Sequence, residues 1–119
     1  MSEFTAQLPD IFANFGPVSV RAMFGGYGVY HDSLMFALVA DDELYLKVDE
    51  QSRDEFVQHG LGQFIFRSKK GKPMSMNYYR APEEIFEDQD RARYWAELAW
   101  RAALRAQSRK GARKQPRKS

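Results

Sequence analysis

The spacing of apolar residues changes after Gly16-Pro17, and this change constrains the fold more than any other feature. From Phe4 to Phe15, large apolar residues recur at intervals of three and four, as in an amphipathic helix that Pro9 interrupts. Over residues 18–48 the spacing becomes two, in four short runs separated by turns. Strands joined by turns this short pair as an antiparallel meander.

The four runs predict strands at residues 18–24, 27–31, 34–39 and 44–48. The turns between the last three carry Asp32-Ser33 and Asp41-Asp42. The third run is apolar at every position, which is typical of a strand inside the sheet with a covering layer on each side. The other runs alternate between apolar and polar residues.

The second half of the chain predicts two more strands and two more helices. A helix capped by Asp49 is expected near residues 50–59, followed by strands at 64–66 and 74–80. A helical turn opened by Pro82 then precedes a helix over residues 89–107, capped by Asp88. The predicted fold class is α+β, with the order α-β-β-β-β-α-β-β-α, one antiparallel sheet of five to six strands and flanking helices. We expect one domain over residues 1–107 and a basic, disordered tail over 108–119.

The chain has 119 residues and no cysteine, which excludes disulfides, thiolate metal sites and a thiol nucleophile. Residues 1–104 hold 11 of the 18 basic residues and all 16 acidic ones, so they carry a net charge of −5. The longest apolar run, at residues 34–40, is far too short to cross a bilayer. With no pattern of a secretory signal, we expect a soluble protein in the cytoplasm.

Gly25, Gly26 and Gly28 fall in the run GGYG, a composition shared with phosphate-binding loops. Such a loop opens a helix, so that backbone amides and the helix dipole face the phosphate. Here the glycines lead into an alternating strand pattern instead. We therefore interpret all three as structural residues that meet the backbone geometry of a hairpin or bulge.

No pattern of residue types indicates catalysis or a cofactor. The two histidines, His31 and His59, lack metal-ligand spacing, so both are interpreted as structural or solvent-facing. The acidic runs at 41–43 and 49–50 lack the pattern of a calcium loop. Tyr78 and Tyr79 are neighbours in a strand and therefore face opposite sides of it. The sequence predicts no catalytic residue, no metal and no cofactor.

Seven basic residues and no acid follow Leu104. Such runs are typical of electrostatic contact with nucleic acid, and equally of a solvated tail that improves solubility. The first interpretation predicts weak DNA binding without sequence preference, with a contribution from the basic turn at residues 67–72. The seven residues are Arg105, Arg109, Lys110, Arg113, Lys114, Arg117 and Lys118.

Three stretches of the chain, in the same order, resemble the TfoX/Sxy N-terminal domain family. They are residues 21–30 (RAMFGGYGVY), 44–49 (LYLKVD) and 76–84 (MNYYRAPEE). With the long terminal helix, the resemblance covers about residues 4–105. It implies an α+β domain similar to the secretion-chaperone-like fold.

The resemblance also implies a bacterial role in regulating competence genes, in which full-length members act as coactivators alongside the cyclic-AMP receptor protein. It implies no enzymatic activity and no cofactor. The best-studied members carry a second, helical domain where this chain has a short basic tail, so we expect a single-domain relative. Within the matching stretches, structural roles are expected for Met23, Phe24, Leu44 and Leu46 in the core and for Pro82 at a helix start.

The expected function is that of a non-enzymatic regulatory module that binds a protein partner such as a transcription regulator. An antiparallel sheet with an uncovered face offers a surface for this contact. Arg21 and Lys47 are charges in otherwise apolar strands, which either face solvent or pair with acids such as Glu83 or Glu84. The candidate contact residues, chosen as polar or charged strand residues off the core face, are Arg21, Tyr30, Lys47, Tyr79 and Arg80.

Two alternatives use other surfaces of the molecule. The first is non-specific nucleic-acid binding through the basic residues at 105–118. The second is a homodimer formed through a sheet edge or through the helix that carries Trp95 and Trp100.

Overall fold

The chain folds as one six-stranded antiparallel sheet with its helices packed on one face. This architecture comes from a computed structural model that describes residues 3–23, 25–67, 71 and 73–114. It confirms the predicted α+β class and the order of the elements. The elements are α1 (Glu3–Ala6), α2 (Leu8–Ile11), β1 (Ser19–Met23), β2 (Gly26–His31), β3 (Leu34–Ala40), β4 (Glu43–Lys47), α3 (Arg53–Gln58), β5 (Gln63–Arg67), β6 (Pro73–Arg80), a 3-10 turn (Glu83–Phe86) and α4 (Gln89–Lys114).

The strands lie in the order β1-β2-β3-β4-β6-β5, so β1 and β5 form the two edges. The first four strands form the predicted meander. Its tight turns place Asp32, Ser33, Asp41 and Asp42 at positive φ, between 50° and 66°. Two consecutive residues of this kind give the twist that matches a two-residue hairpin, and Asp tolerates the conformation better than most residues.

The amino-terminal helical segment is divided in two, because Pro9 lacks the amide hydrogen that a continuous helix needs at that position. Pro9 instead lies in the first turn of α2, where no such bond is required. Leu8 and Phe12 are fully buried against the sheet. The predicted stripe is therefore confirmed, with an irregularity at the proline.

The core lies between the sheet and α4. Trp95 is fully buried, and its ring packs edge-on against Phe56 with centroids 5.0 Å apart. Small residues on the same helix face allow α4 to approach the sheet closely. The fully buried alanines of α4 are Ala92, Ala96, Ala99 and Ala102.

The third strand is inside the sheet, as expected, but the expectation of a covering layer on both sides is wrong for the described residues. The helices lie on the face that carries Ala37 and Val39. Leu38 points to the other face and is nevertheless only 5% exposed. It lines a groove with large apolar side chains from other strands, which shield it without a second layer.

The last helix continues past the predicted end at Gln107 to Lys114. Residues 108–114 therefore belong to α4, where the sequence predicted a disordered tail from residue 108; residues 115–119 lie outside the described part of the chain. Five of these seven residues are Arg, Lys or Ala, which have high helix propensity, and adding turns to an existing helix avoids the cost of nucleation. The predicted domain limit at residue 107 falls inside α4.

Across the described ranges, no helix combines the length and apolarity needed to cross a membrane.

An ion pair fastens α4 to the segment between β4 and α3. Arg105 donates two hydrogen bonds to the carboxylate of Asp49, at 2.6 and 2.9 Å. The same carboxylate accepts the amides of Gln51 and Ser52, so it stabilises the turn before α3. The predicted helix cap at Asp49 is wrong, because α3 begins at Arg53 with Ser52 at its N-cap. The Arg105 hydrogen bonds hold the pKa of Asp49 below its usual value.

Replacing Asp49 should measurably destabilise the fold. Asp49→Ala removes a mostly buried charge-assisted pair and a turn cap together, so we expect a loss of about 2 kcal/mol in urea unfolding. The exposed Asp54→Ala, in the first turn of α3, serves as control and should cost about 0.5 kcal/mol. Because folding favours ionised Asp49, the difference between wild type and Asp49→Ala should be full above pH 3.8 and shrink as the pH falls below it. Equal losses in the two variants would contradict the role of the pair.

Gly26 should not tolerate any side chain. A Cβ at this position would lie 2.0 Å from the carbonyl oxygen of Val39, a backbone atom of the neighbouring strand. We expect Gly26→Ala to lower the free energy of unfolding by about 3 kcal/mol or to prevent folding, because neither strand can move without breaking the ladder. Gly62→Ala is the matched control, since no atom lies within 4 Å of its Cβ position. Thermal unfolding of both variants checks the difference.

Candidate interaction surface on the open sheet face

One face of the sheet has no helix packed on it within the described residues, and we call it the open face. Side chains alternate between faces along a strand, so the pairing register shows which ones share it. Arg21 pairs with Gly28, Gly28 with Leu38, Leu38 with Tyr45, and Tyr45 with Arg80. These residues form one continuous row across five strands of the open face.

Two cations on the open face are stacked on tyrosine rings. The guanidinium of Arg21 lies 4.7 Å from the ring centroid of Tyr30, and the ammonium of Lys47 lies 5.1 Å from that of Tyr78. Both distances are within the range of a favourable cation–π interaction. The stacking restricts where the two charges lie without neutralising them.

Tyr78 is 8% exposed, and its burial raises the pKa of its hydroxyl to about 12. The nearby Tyr30 contributes in the same direction. The phenol therefore stays neutral at all ordinary pH values. It supplies an apolar ring for Lys47 and has no role as a proton donor or acceptor near neutrality.

A third cation on this face, Arg80, forms an ion pair. The Nε atom of Arg80 lies 3.0 Å from a carboxylate oxygen of Glu43. Next to this pair, the ring of Phe64 packs on Tyr45, with centroids 4.8 Å apart. Partial burial raises the pKa of the Tyr45 hydroxyl, and the charge of Glu43 adds to the effect.

An apolar groove of about 580 Å³ occupies one end of the open face. Three of its lining residues, Met23, Ile65 and Phe66, are between 42% and 47% exposed. Leu38, Phe64 and Met76 line the groove as well. Sequence reasoning missed this groove, because its lining residues come from β1, β3, β5 and β6. No pattern within one strand indicates that side chains of these strands lie close together.

Of the five predicted contact residues, Arg21, Tyr30, Lys47 and Arg80 lie on the open face. Tyr79 does not: it faces the helices, is 9% exposed and packs 6.0 Å from Phe56. The expectation that Tyr79 lies off the core face is therefore wrong. Its neighbour Tyr78 takes the open-face position, as strand alternation requires.

The expected core position of Met23 is also wrong, since this side chain lies in the groove, whereas Leu44 and Leu46 are buried as expected. Phe24 lies outside the described residues. Glu84, suggested as a partner for Arg21 or Lys47, is engaged by side chains of α4. It accepts hydrogen bonds from Trp95 at 2.6 Å and from Arg91 at 2.9 Å, and these bonds lower its pKa.

The glycines have structural roles that need no ligand. Gly25 has a φ of +69°, a conformation that favours glycine, and Gly26 lies directly against the backbone of β3. A Cβ on Gly28 would lie 2.9 Å from the ring of Tyr30 and 3.0 Å from the sulfur of Met23. Gly28 thus leaves the space on the open face that the Tyr30 ring occupies. Pro82 precedes the 3-10 turn, as predicted.

The histidines are separately placed and bonded to backbone carbonyls. His31 Nδ1 donates to Pro17 at 2.6 Å, and its ring packs on Phe15 and Trp100. His59 Nδ1 donates to the Glu55 carbonyl at 2.9 Å. Among the residues that the structure describes, no cluster of three or more His, Cys, Asp or Glu side chains could hold a metal.

The seven predicted nucleic-acid residues fall into three groups. Arg105 is engaged by Asp49, and Arg109 is exposed on α4. The backbones of Lys110, Arg113 and Lys114 belong to α4. The structure describes neither the side chains of those three residues nor any part of Arg117 and Lys118. Residues 68–70 and 72 of the basic turn also lie outside the described residues.

The two tryptophans of α4 named for a homodimer pack inside the chain. Trp95 is fully buried, and Trp100 packs against Phe15 and Phe36. A homodimer through a sheet edge or through α4 stays a prediction.

The raised pKa of Tyr78 gives a spectroscopic signature. In an alkaline titration followed by phenolate absorbance, Tyr78→Phe should remove a transition near pH 12. Because the unfolded state ionises first, wild type should also lose stability between pH 10 and about 12, and Tyr78→Phe should lose less. Tyr27→Phe is the control. Loss of a transition near pH 10 in Tyr78→Phe would show that the ring is not buried.

The TfoX N-terminal domain family matches residues 10–103 of this chain. Protein Sxy of Escherichia coli (strain K12) is 32% identical over 104 residues, which cover 87% of this chain and 49% of Sxy. DNA transformation protein TfoX1 of Aliivibrio fischeri (strain ATCC 700601 / ES114) is 33% identical over 86 residues, covering 69% of this chain and 40% of that protein. The chain therefore spans about half the length of these relatives or less. From the extent of the family match, this chain belongs to the TfoX N-terminal domain family.

Proposed function

We propose that this protein is a non-enzymatic regulatory module that controls competence for DNA transformation by binding a protein partner through its open face. The observation that carries the proposal is the pair of cations, Arg21 and Lys47, held over tyrosine rings on a sheet face with no helix packed on it in the described residues. Charged strand residues placed in this way provide electrostatic complementarity to a partner. The proposed partner is a transcription regulator in the cytoplasm.

The family and the names of the relatives support the regulatory part of this proposal. One relative is named a DNA transformation protein, and the match to it includes most of this chain. Because this chain spans only part of each relative, their whole activity does not transfer with the match. What we assign to this chain is the contact with a partner, since a six-stranded sheet with a free face is suited to binding.

Charge reversal on the open face should abolish the regulatory effect. In the bacterium that carries the gene, Arg21→Glu combined with Lys47→Glu should lower transformation frequency and transcription of competence genes to the level of a deletion strain. The matched control combines Arg53→Glu with Arg93→Glu, two exposed cations on the helical side. Circular dichroism and protein level verify folding of both. Full activity of a folded open-face variant would remove this face from the proposal.

A second candidate function is sequence-independent nucleic-acid binding through the end of α4. It is favoured by the finding that α4 continues as a helix to Lys114, with Arg109 exposed on it. A helix holds successive cations at a fixed rise, so several can contact neighbouring phosphates together.

This second function predicts steep salt dependence in fluorescence anisotropy with a labelled duplex. If about five phosphates are neutralised, the logarithm of affinity should fall with that of salt concentration at a slope near −4.5. Replacing Arg109, Lys110 and Arg113 by Glu should remove the binding, whereas Arg53→Glu should not. Absence of binding at low salt would exclude it.

A further inference from the structure

We infer that an extended segment of a protein partner adds to the sheet as a further strand beside β1, with an acidic and a large apolar side chain two positions apart on the open face. The inference rests on the proposed function and deepens it, because it gives the conformation and the chemistry of the partner. It joins three features: the outer edge of β1, the guanidinium of Arg21 and the apolar groove at Met23.

The outer edge of β1 is accessible to another strand. β1 pairs with β2 over five residues without a register shift, and it has no strand on its other side in the described sheet. Among the described residues, Ser19–Met23 makes no backbone hydrogen bond outside this pairing. Every residue of β1 except Val20 is exposed. Outward-facing backbone groups of such an edge can form a ladder with an incoming strand.

The opposite edge of the sheet is less suited to strand addition. The pairing of β5 with β6 has a register shift between Gln63 and Ile65, and such irregularities hinder the addition of a further strand. Proline and lysine, which commonly protect edges, are absent from β1. The single charge of β1, on Arg21, selects among partner strands. Of the two edges, β1 is therefore the one that fits a partner strand.

The guanidinium of Arg21 determines the charge of the added segment. It lies over the ring of Tyr30, and among the described residues no carboxylate is within ion-pair distance of it. The ring contact uses one face of the guanidinium, so N–H groups at its edge can still donate to a carboxylate. Opposite charges on directly facing residues stabilise neighbouring strands, so the position that faces Arg21 favours Asp or Glu. β1 contains no acid, so a second copy of β1 does not supply this carboxylate.

The groove determines the apolar residue of the segment. Met23 lies two residues after Arg21, so both side chains are on the open face. Met23 lines the groove together with Ile65 and Phe66, and all three are exposed. On an added strand, a side chain that faces Met23 starts about 4.8 Å from it and extends on the same face. A large apolar side chain there covers the exposed area at the groove, which is favourable because it removes that area from water.

The strand geometry specifies the spacing of the two groups. The residues that face Arg21 and Met23 are two positions apart on the added strand, and residues two apart point to the same face. In an antiparallel strand the apolar residue precedes the acidic one, and in a parallel strand it follows. Either order leaves both side chains on the open face, whereas a spacing of three places them on opposite faces.

A helix or a single-stranded nucleic acid fits these features less well. The backbone groups of a helix are already hydrogen-bonded within it, so a helix cannot extend the ladder of β1. Bases bind such sheets by stacking on open aromatic faces. Here Arg21 covers Tyr30, and Phe64 packs on Tyr45, so these rings each have a face in use.

The test is display selection of random 12-residue peptides on the full chain, followed by fluorescence anisotropy with the enriched peptides. The enriched sequences should place Asp or Glu two positions from Trp, Phe, Leu or Met, within the alternating pattern of a strand. Each peptide is compared with a rearranged version of the same composition in which this spacing is three. The basic residues at 105–118 attract both versions equally, so their effect cancels in the comparison. The rearranged version should bind about tenfold more weakly.

Substitutions in β1 test the contact from the side of the protein. Arg21→Glu and Met23→Ser should each weaken binding of the enriched peptides by about tenfold, because each removes one side-chain contact. The controls are Arg53→Glu, with the same charge change, and Phe86→Ser, whose ring is 44% exposed, as is the side chain of Met23. The enriched peptide, unlike its rearranged version, should also slow amide hydrogen exchange at Ser19–Met23, since strand addition hydrogen-bonds the outward amides.

Four results would each overturn the inference: no enriched peptide, equal binding by the two versions of a peptide, equal binding by the β1 variants and the controls, or unchanged exchange at Ser19–Met23 in the complex. Dimerisation of the chain in sedimentation equilibrium that Met23→Ser removes would assign the edge to a second copy, and would overturn it as well.

The outcomes also separate this inference from the proposed function. If the peptides fail while Arg21→Glu with Lys47→Glu still abolishes competence in cells, the proposed function stands with a different kind of contact. If the peptides bind as expected while that double variant keeps full competence, the edge of β1 binds a strand and the proposed function fails.

Discussion

The packing of α4 against one face of the sheet is the interaction on which the rest of the molecule depends. Trp95 fills the space between α4, α3 and the sheet, and the alanines beside it keep the helix close. The indole nitrogen of Trp95 is satisfied by Glu84 at 2.6 Å, so the largest core side chain also fixes the turn after β6. Because the helices lie on one side of the sheet, no helix among the described residues covers the side chains of the other face.

That asymmetry explains the composition of the open face. The covered face buries mainly apolar side chains, whereas Arg21, Tyr30, Lys47 and Tyr78 on the open face each combine an apolar body with a polar tip. Stacking lets the cations shield the tyrosine rings while their charges stay in water.

Much of the fold follows from local patterns in the sequence. The meander is predicted by the alternation over residues 18–48 and by the two turns that contain aspartate, and the start of α4 is predicted by the Asp88 cap. Each of these patterns depends only on residues that are neighbours in the chain. Tyr79 could not be assigned to a face by type, since tyrosine suits both core and surface. The end of α4 was missed because its composition fits either a solvated helix or a disordered tail. The groove depends on side chains from strands that are distant in sequence, and no pattern within one strand indicates that these side chains lie together.

The position of Arg21 on an edge strand has a consequence for aggregation. The outer side of β1 presents backbone groups that another copy of the sheet can pair with, which is the common route to uncontrolled sheet growth. Arg21 is the central residue of Ser19–Met23. Two copies aligned antiparallel about that centre would bring two guanidinium groups together at the middle of the new ladder. Repulsion between the two charges therefore disfavours polymerisation along that edge.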